Sequence, residues 1–174
     1  MANNLSNFDI IRVVPTLDTN AYAQQDVLFT GVEIPNAVMG NGGCSNLINM
    51  FVVDRSDQSD VDIQFFFTEK NTAFGTQNAT ADISAANMKA IGVCGFAELD
   101  GNLDTTGNSI DNVKIHRIVG TNINDDNAAV PLTLLQAEGD STSVYVHAII
   151  KNSSTPTYAA DSLDLVFHIQ KRWV

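Results

Sequence analysis

Oxygen-bearing side chains at alternate positions are the part of this sequence best suited to chemistry, because that spacing can present several ligands to one cation. Asp100, Asn102 and Asp104 occupy the first, third and fifth places of a calcium-binding loop pattern. Asp111 follows at the twelfth place, but Thr105 stands at the sixth, where the pattern requires glycine. The surrounding sequence does not predict the flanking helices, so we expect a polar surface loop and no metal cofactor.

A second acidic group lies between two predicted strands. It consists of Asp54, Asp57, Asp60 and Asp62. This spacing is typical of an exposed turn, and a divalent cation held by these carboxylates is the lesser alternative.

Histidine and cysteine are the other residues that could support catalysis or bind a metal. His116, His147 and His168 fall at outward positions of predicted strands, so we expect them to face solvent or an interface. General-base work would require convergence with a carboxylate in a pocket. Cys44 and Cys94 are too few for a disulfide framework and lack metal-site spacing, so we expect small core hydrophobes. No nucleophile elbow is present, and the sequence predicts no enzyme.

Composition limits the partners that this chain can have. Its 174 residues, 44% of them hydrophobic, fit one globular domain spanning residues 1–174. It carries 20 acidic and 9 basic side chains, for a net charge of -11. Because nucleic-acid binding depends on Lys and Arg that neutralise phosphates, we expect no DNA or RNA partner. Residues 1–6 show neither a basic segment nor a long apolar run, so no signal peptide or membrane contact is expected.

Strand signals recur along the chain as period-two alternation or as dense β-branched residues. About eight strands are predicted, at residues 8–14, 27–34, 47–53, 61–68, 113–116, 132–136, 143–151 and 163–170. Turn-rich stretches separate them at the spacing of a sandwich. The sequence therefore predicts an all-β fold, a single antiparallel β-sandwich of the jelly-roll type.

One segment breaks the strand pattern and predicts a short helix over residues 82–91. Asp82 or Ser84 can cap its start, and Gly92 can end it in a left-handed conformation. Its apolar residues would hold it against the sheet. They are Ile83, Met88 and Ile91.

The last two strands can be arranged in two ways. A direct hairpin would place Lys151 opposite Asp164, which gives a favourable ion pair. The connection of residues 152–162 is longer than a tight hairpin needs and is long enough to cross between sheets. We favour the crossing, as in a jelly roll, which places Lys151 and Asp164 on opposite outer faces.

Apolar side chains at outward positions predict a contact surface for other proteins or for further copies of the chain. These candidate interface residues are Phe66, Tyr145, Ile149, Val166 and Trp173. No catalytic, cofactor-binding or metal-binding residue is predicted.

Several phrases in the sequence together resemble one class of viral protein. They are DTNAYA at 18–23 leading into DVLF at 26–29, EIPNAV at 33–38, LINMFVVD at 47–54, VDIQFFF at 61–67 and PTYAADSLDL at 156–165. This arrangement is similar to small virion structural proteins of tailed bacteriophages, especially those of marine and cyanobacterial hosts. The similarity covers most of the chain, but not residues 99–131.

The resemblance implies a β-sandwich that is made in the host cytoplasm and then binds the outside of an assembled head. Such a capsid decoration, or cement, protein would have the major capsid protein and itself as partners, most often as a homotrimer. No catalytic residue is carried over. The alternative is a tail- or fibre-associated module for adhesion or carbohydrate binding.

Overall fold

Nine β-strands and one short helix make up the regular elements of residues 7–58, 60–99, 113–117 and 133–172, which the structure, a computed structural model, describes. The sequence-based expectation of an all-β fold with one short helix is confirmed. The elements are β1 (Phe8–Val13), β2 (Val27–Ile34), β3 (Cys44–Asp54), β4 (Ile63–Thr68), α1 (Ala85–Ala90), β5 (Val93–Leu99), β6 (Lys114–Arg117), β7 (Thr133–Gln136), β8 (Val144–Ile150) and β9 (Leu163–Lys171).

The strands form two antiparallel sheets whose pairs are nested along the chain. The first sheet has the order β1-β9-β3-β6, with β7 also paired to β3, and the second has the order β2-β8-β4-β5. Thus β1 pairs with β9, β2 with β8, β3 with β6 and β7, and β4 with β5. The last two strands, β8 and β9, lie in different sheets, so the crossing that we favoured over a hairpin is correct.

The core lies between the two sheets, because every second side chain of each strand points inward. In β9 the inward residues Leu165, Phe167 and Ile169 are fully buried. The ring of Phe167 meets that of Phe67 from the opposite sheet edge to face, with centroids 6.0 Å apart. The intervening residues of the strands point to the two outer faces of the sandwich. These two outer faces differ from each other in how far their side chains are exposed.

The helix forms where its caps predict it. Of the two candidate caps, Ser84 is the one used: its side chain accepts a hydrogen bond of 3.1 Å from the backbone N–H of Asn87. The helix ends at Ala90, and Gly92 follows with φ +63°, a left-handed conformation that favours glycine.

Strand β5 is absent from the sequence-based prediction. Its sequence, VCGFAEL, lacks clean alternation and follows the helix directly, so the periodic signal is lost. Gly95 sits where β5 comes close to β7, and a side chain there would lie 2.3 Å from Cγ2 of Thr133. Glycine at this position allows the two strands to pack closely, but it also interrupts the alternation by which a strand is predicted from sequence.

Cys44 and Cys94 are half-buried free thiols, and Cys94 packs against the main core. Burial raises the pKa of the Cys94 thiol. In the residues that the structure describes, no helix has the length and apolar character needed to cross a membrane.

Candidate functional site

The predicted interface residues do not form one patch. Phe66, Tyr145 and Ile149 lie on the outer face of the second sheet, and Val166 lies on the outer face of the first. All four are half-buried. Trp173 lies outside the described residues.

The outer face of the second sheet is covered by the chain itself. Residues 69–92, called here the cover segment, run across this face between β4 and β5. Phe74 and Ile91 of the cover segment form a second buried cluster with Val27, and Phe66 and Ile149 pack against it. The ring of Phe66 lies 5.2 Å from that of Phe74. Two predicted interface residues thus make apolar contacts within the chain.

Backbone hydrogen bonds fix the cover segment along the edge of the second sheet. Val27 donates its N–H to the carbonyl of Ala79 and accepts one from Asn78, each at 2.9 Å. Ala81 donates to the carbonyl of Gln25 at 3.0 Å. These bonds satisfy backbone groups of the edge strand β2 and hold the cover segment in register on it.

His147 lies beneath this cover, and the expectation that it faces solvent or an interface is wrong. Its position in β8 does point it to the outer face, as the alternation predicted, but its side chain is fully buried. The imidazole stacks on the ring of Phe74, with centroids 4.3 Å apart and planes 15° apart. The covering phenylalanine comes from a turn-rich segment that strand periodicity does not reveal.

The hydrogen bonds of His147 define its protonation state. The backbone N–H of Gly31 can only donate, so Nδ1, 2.9 Å away, accepts and carries no proton. The proton is therefore on Nε2, which donates to Oγ1 of Thr68 at 2.9 Å. Thr68 in turn donates to the carbonyl of Lys70. The hydroxyl of Thr30 lies 2.8 Å from Nδ1 and completes the set.

A neutral, fully bonded histidine serves structure here. Burial lowers the pKa of His147 from 6.5 to about 4, because the charged imidazolium would lose its hydration. Protonated Nδ1 would also face the N–H of Gly31. All its hydrogen bonds go to Thr30, Gly31 and Thr68, and its exposed surface is nil, so it has no route to a substrate.

The outer face of the first sheet, called here the open face, differs from that of the second sheet because it has large apolar side chains that are exposed. Phe8 and Ile10 of the edge strand β1 point outward with exposed fractions of 59% and 56%. Just beyond β1, Val14 is 51% exposed. On β6, at the far side of the same sheet, Ile115 is 42% exposed. Large apolar side chains therefore stand in solvent at both sides of this face.

The register of the first sheet joins these exposed residues across its centre. Arg12 of β1 pairs with Val166 of β9, which pairs with Phe51 of β3. Ile10 pairs with His168, whose ring lies 5.3 Å from that of Phe51. The open face thus carries apolar and aromatic side chains interspersed with polar ones, among them His168 and, near one side, Arg12.

Charge also distinguishes the two sheets. The strands of the first sheet contain four basic residues, whereas those of the second contain none. The basic residues are Arg12, Lys114, Arg117 and Lys171. Lys171 forms an ion pair with Asp9, and Lys114 lies 3.3 Å from the carboxylate of Asp57. Within the described residues Arg12 has no ion pair, although its side chain is exposed.

In the acidic turn after β3, the Asp54 carboxylate holds the turn together by hydrogen bonds to its backbone. Asp54 is buried, and its two carboxylate oxygens accept the backbone N–H groups of Ser56 at 2.7 Å and Gln58 at 3.0 Å. The adjoining cavity has a volume of about 10 Å³, room for roughly one water molecule. Tyr158 lines this cavity, and burial raises the pKa of its phenol, with the Asp54 charge as a smaller cause.

The acidic group of Asp54, Asp57, Asp60 and Asp62 does not form a metal site in the described residues. No cluster of three or more His, Cys, Asp or Glu side chains suited to a metal ion occurs in the part of the chain that the structure describes. The calcium-like loop beginning at Asp100 lies outside the described residues, as does the side chain of His116. His168 is half-buried on the open face and contacts Phe51.

Comparisons of the chain with models of protein families, with curated protein sequences and with solved structures returned no match.

Proposed function

We propose that this chain is a non-enzymatic structural protein of a phage virion, a capsid decoration or cement protein that stabilises the assembled head. It is made in the host cytoplasm and then binds the capsid surface, with the major capsid protein and further copies of itself as partners, as a homotrimer. The open face is the observation that carries the proposal. Ile10 and Val14 are each more than half exposed there, and a protein that binds to a surface can bury such apolar side chains against it.

The use made of polar groups supports a structural role. His147 and Asp54 are buried groups that could act as an acid or a base. The Asp54 carboxylate accepts backbone N–H groups, and the His147 ring hydrogen-bonds to a backbone N–H and to a threonine hydroxyl. The cavity beside Asp54 has room for about one water molecule. Catalysis needs titratable groups that converge on a space where a substrate atom can sit.

We further propose that the fold is a jelly roll. The nested pairing supports this assignment, since β1 with β9, β2 with β8, β3 with β6 and β7, and β4 with β5 is the order obtained when one long antiparallel hairpin is wrapped into two sheets. Viral capsid proteins commonly use this architecture. The assignment therefore agrees with a role on a virion.

Copy number tests the proposal most directly. Purified virions of the phage that encodes the chain are separated by electrophoresis, and each band is identified and quantified by mass spectrometry. A cement protein is expected at a copy number comparable with that of the major capsid protein. A few copies per particle would indicate the alternative, a tail- or fibre-associated adhesion or carbohydrate-binding module. Absence from the particle would overturn both.

A further inference from the structure

We propose that the cover segment is an acid-sensitive lid: protonation of His147 beneath it detaches the segment from the second sheet while the two sheets stay folded. Detachment exposes the apolar side chains that the segment buries, among them Phe66 and Ile149. This conformational device goes beyond the proposed function and does not depend on a role in a virion.

His147 is connected to the cover segment at two points, each through one threonine. On one side, the backbone N–H of Phe74 donates to Oγ1 of Thr30 at 2.9 Å, and that hydroxyl lies 2.8 Å from Nδ1 of His147. On the other side, Nε2 donates to Oγ1 of Thr68, which donates to the carbonyl of Lys70. One neutral imidazole thus holds the segment at both Lys70 and Phe74.

A second proton on this ring disrupts the arrangement at Nδ1. In the neutral ring Nδ1 accepts the backbone N–H of Gly31 at 2.9 Å. Once protonated, Nδ1 has no lone pair to offer, so the N–H of Gly31 faces another donor and loses its partner. The added charge also sits on a side chain with no exposed surface, where its hydration is lost. Both effects are relieved when the segment moves away and water reaches the ring.

The charged side chains around the ring are engaged elsewhere or exposed. On β2, Glu33 accepts a hydrogen bond from the hydroxyl of Ser143, and in the cover segment Lys70 pairs with Glu138 at 3.0 Å. The strands β4 and β8 have no charged residue, and burial is the cause that lowers the pKa of His147 to about 4. The remaining titratable groups of these elements are Glu69, which lies against Gly92, the exposed Asp82 and Lys89, and the half-buried Tyr145 of β8.

The cover segment packs as a unit separate from the main core. Phe74 and Ile91 form their own buried cluster with Val27. Among the described residues, no member of the buried cluster between the two sheets comes from the cover segment. Segments with few contacts to the core open at a lower free energy than the core itself. Detachment still breaks this cluster and the backbone bonds to Val27, so the open form is a minority at neutral pH.

Acid favours the open form because that form binds the proton more tightly. In the open form His147 is in water and has its ordinary pKa of 6.5, whereas its pKa in the closed form is about 4. As the pH falls, the open form is therefore protonated first. The ratio of open to closed molecules should rise about a hundredfold between pH 7 and pH 4.

Hydrogen exchange of the native full chain, followed by NMR at pH 7, 5.5 and 4, tests the lid. Each amide rate is divided by its intrinsic rate at the same pH to give a protection factor. The amides of Phe74 and Ala81, bonded to Thr30 and Gln25, report on the cover segment, and those of β3 and β9 report on the sandwich. We expect lower protection in the cover segment at every pH, falling about a hundredfold from pH 7 to pH 4.

Three variants identify the group responsible. His147→Gln should remove most of the pH dependence of the Phe74 and Ala81 amides. His168→Gln is the matched control, because it makes the same change on the outer face of the other sheet, and it should behave as wild type. Thr30→Val removes the hydroxyl between Phe74 and His147, so it should raise opening at pH 7 and keep the pH dependence.

Two results in wild type would overturn the inference. If cover-segment and sandwich amides exchange with one free energy at every pH, the segment opens only by global unfolding and there is no lid. The ring nitrogen shifts of His147 give a check that needs no variant to fold: they should show a proton on Nε2 alone at pH 7. A ring that becomes charged near pH 6.5 while Phe74 stays protected would contradict the lid.

The variants add one further way to reject it. An unchanged pH dependence in His147→Gln would assign the acid response to carboxylates and would overturn the inference, as would its loss in His168→Gln. All these measurements use the isolated chain. Absence of the chain from virions would therefore end the proposed function and leave the lid intact, and a pH-independent cover segment would do the reverse.

Discussion

The two outer faces of this sandwich start from the same strand pattern and end in opposite conditions. On the second sheet, the alternation places Phe66 and His147 outward, and the cover segment buries them under Phe74. On the first sheet, the alternation places Val166 outward, and pairing with β9 turns Ile10 to the same face, where it remains more than half exposed. The strand pattern thus determines which face a side chain lies on. Whether that face is exposed to solvent depends on whether a connecting segment elsewhere in the chain packs over it.

The difference lies in one connection and in its chemistry. The cover segment joins β4 to β5 and carries its own apolar residues, Phe74 and Ile91, which meet the sheet. It also brings a backbone that hydrogen-bonds to the edge strand at Val27. The covered face is therefore packed under an apolar layer that is hydrogen-bonded to the edge strand, whereas Ile10 and Val14 on the open face remain more than half exposed.

Removing the covering ring should have the largest effect on stability. Phe74→Ala deletes a buried ring that stacks on His147 and contacts Phe66, so unfolding should become easier by about 3–5 kcal/mol. Ile10→Ala, a truncation on the open face, should change the unfolding free energy by no more than about 0.5 kcal/mol in dilute solution. Urea denaturation of both variants checks this. Equal losses would mean that the two faces do not differ as described.

Acid should weaken the covered face through His147. The histidine titrates near 6.5 when unfolded and at about 4 when folded, so the unfolded chain binds this proton first as the pH falls. The part of the unfolding free energy that depends on a neutral His147 is fully present above pH 6.5. It is lost as the pH falls from 6.5 to about 4, and the total loss is about 3 kcal/mol. Urea denaturation at a series of pH values measures the loss.

His147→Gln is the control for this acid effect, because it removes the titrating group and keeps a polar side chain. The variant should be less stable than wild type at pH 7, and the gap should narrow as the pH approaches 4. Parallel stability curves for the two proteins between pH 7 and pH 4 would contradict a neutral, buried His147.

The sequence predicted the parts of this fold that depend on local pattern. The bounds expected for β2 match those observed, and the outward parity of Phe66 and His147 is correct. The cap at Ser84 is a local signal as well. Each of these features follows from a periodicity of two or from the chemistry of one cap, which a short stretch of sequence contains.

The features that decide the candidate site are non-local, and the sequence missed them. Nothing periodic marks Phe74 as a lid for His147, since the contact joins residues far apart in the chain. In β1, apolar residues occupy both parities, so Ile10 and Ile11 are equally good candidates for the core. Only pairing with β9 turns Ile10 outward. The predicted interface residues therefore lie on both faces, and none of them belongs to the exposed edge strand β1.

The helix cap is a smaller test of the covered face. Ser84→Ala removes the acceptor for the Asn87 N–H at the start of α1 and should cost about 1 kcal/mol of unfolding free energy. Ser84→Asp supplies another good cap and should stay near wild type. Hydrogen exchange at Asn87 should quicken in the first variant alone. The same loss in both variants would show that the side chain packs and does not cap.

The smallest effect expected tests the separation of the faces itself. Lys151, just past β8, forms an ion pair with Glu98 of β5, both on the second sheet. Asp164 of β9 forms one with Arg55 on the first sheet. In a double-mutant cycle, Lys151→Ala and Glu98→Ala should couple by about 0.2–1 kcal/mol, as a partly exposed pair does.

Lys151→Ala and Asp164→Ala should instead give additive losses, because the two residues lie on different sheets and pair with different partners. The first cycle is the positive control for the second, since both share the Lys151 substitution. A hairpin between the last two strands would make Lys151 and Asp164 cross-strand neighbours. A coupling above about 0.5 kcal/mol between them would require that arrangement, and would dissolve the distinction between a covered sheet and an open one.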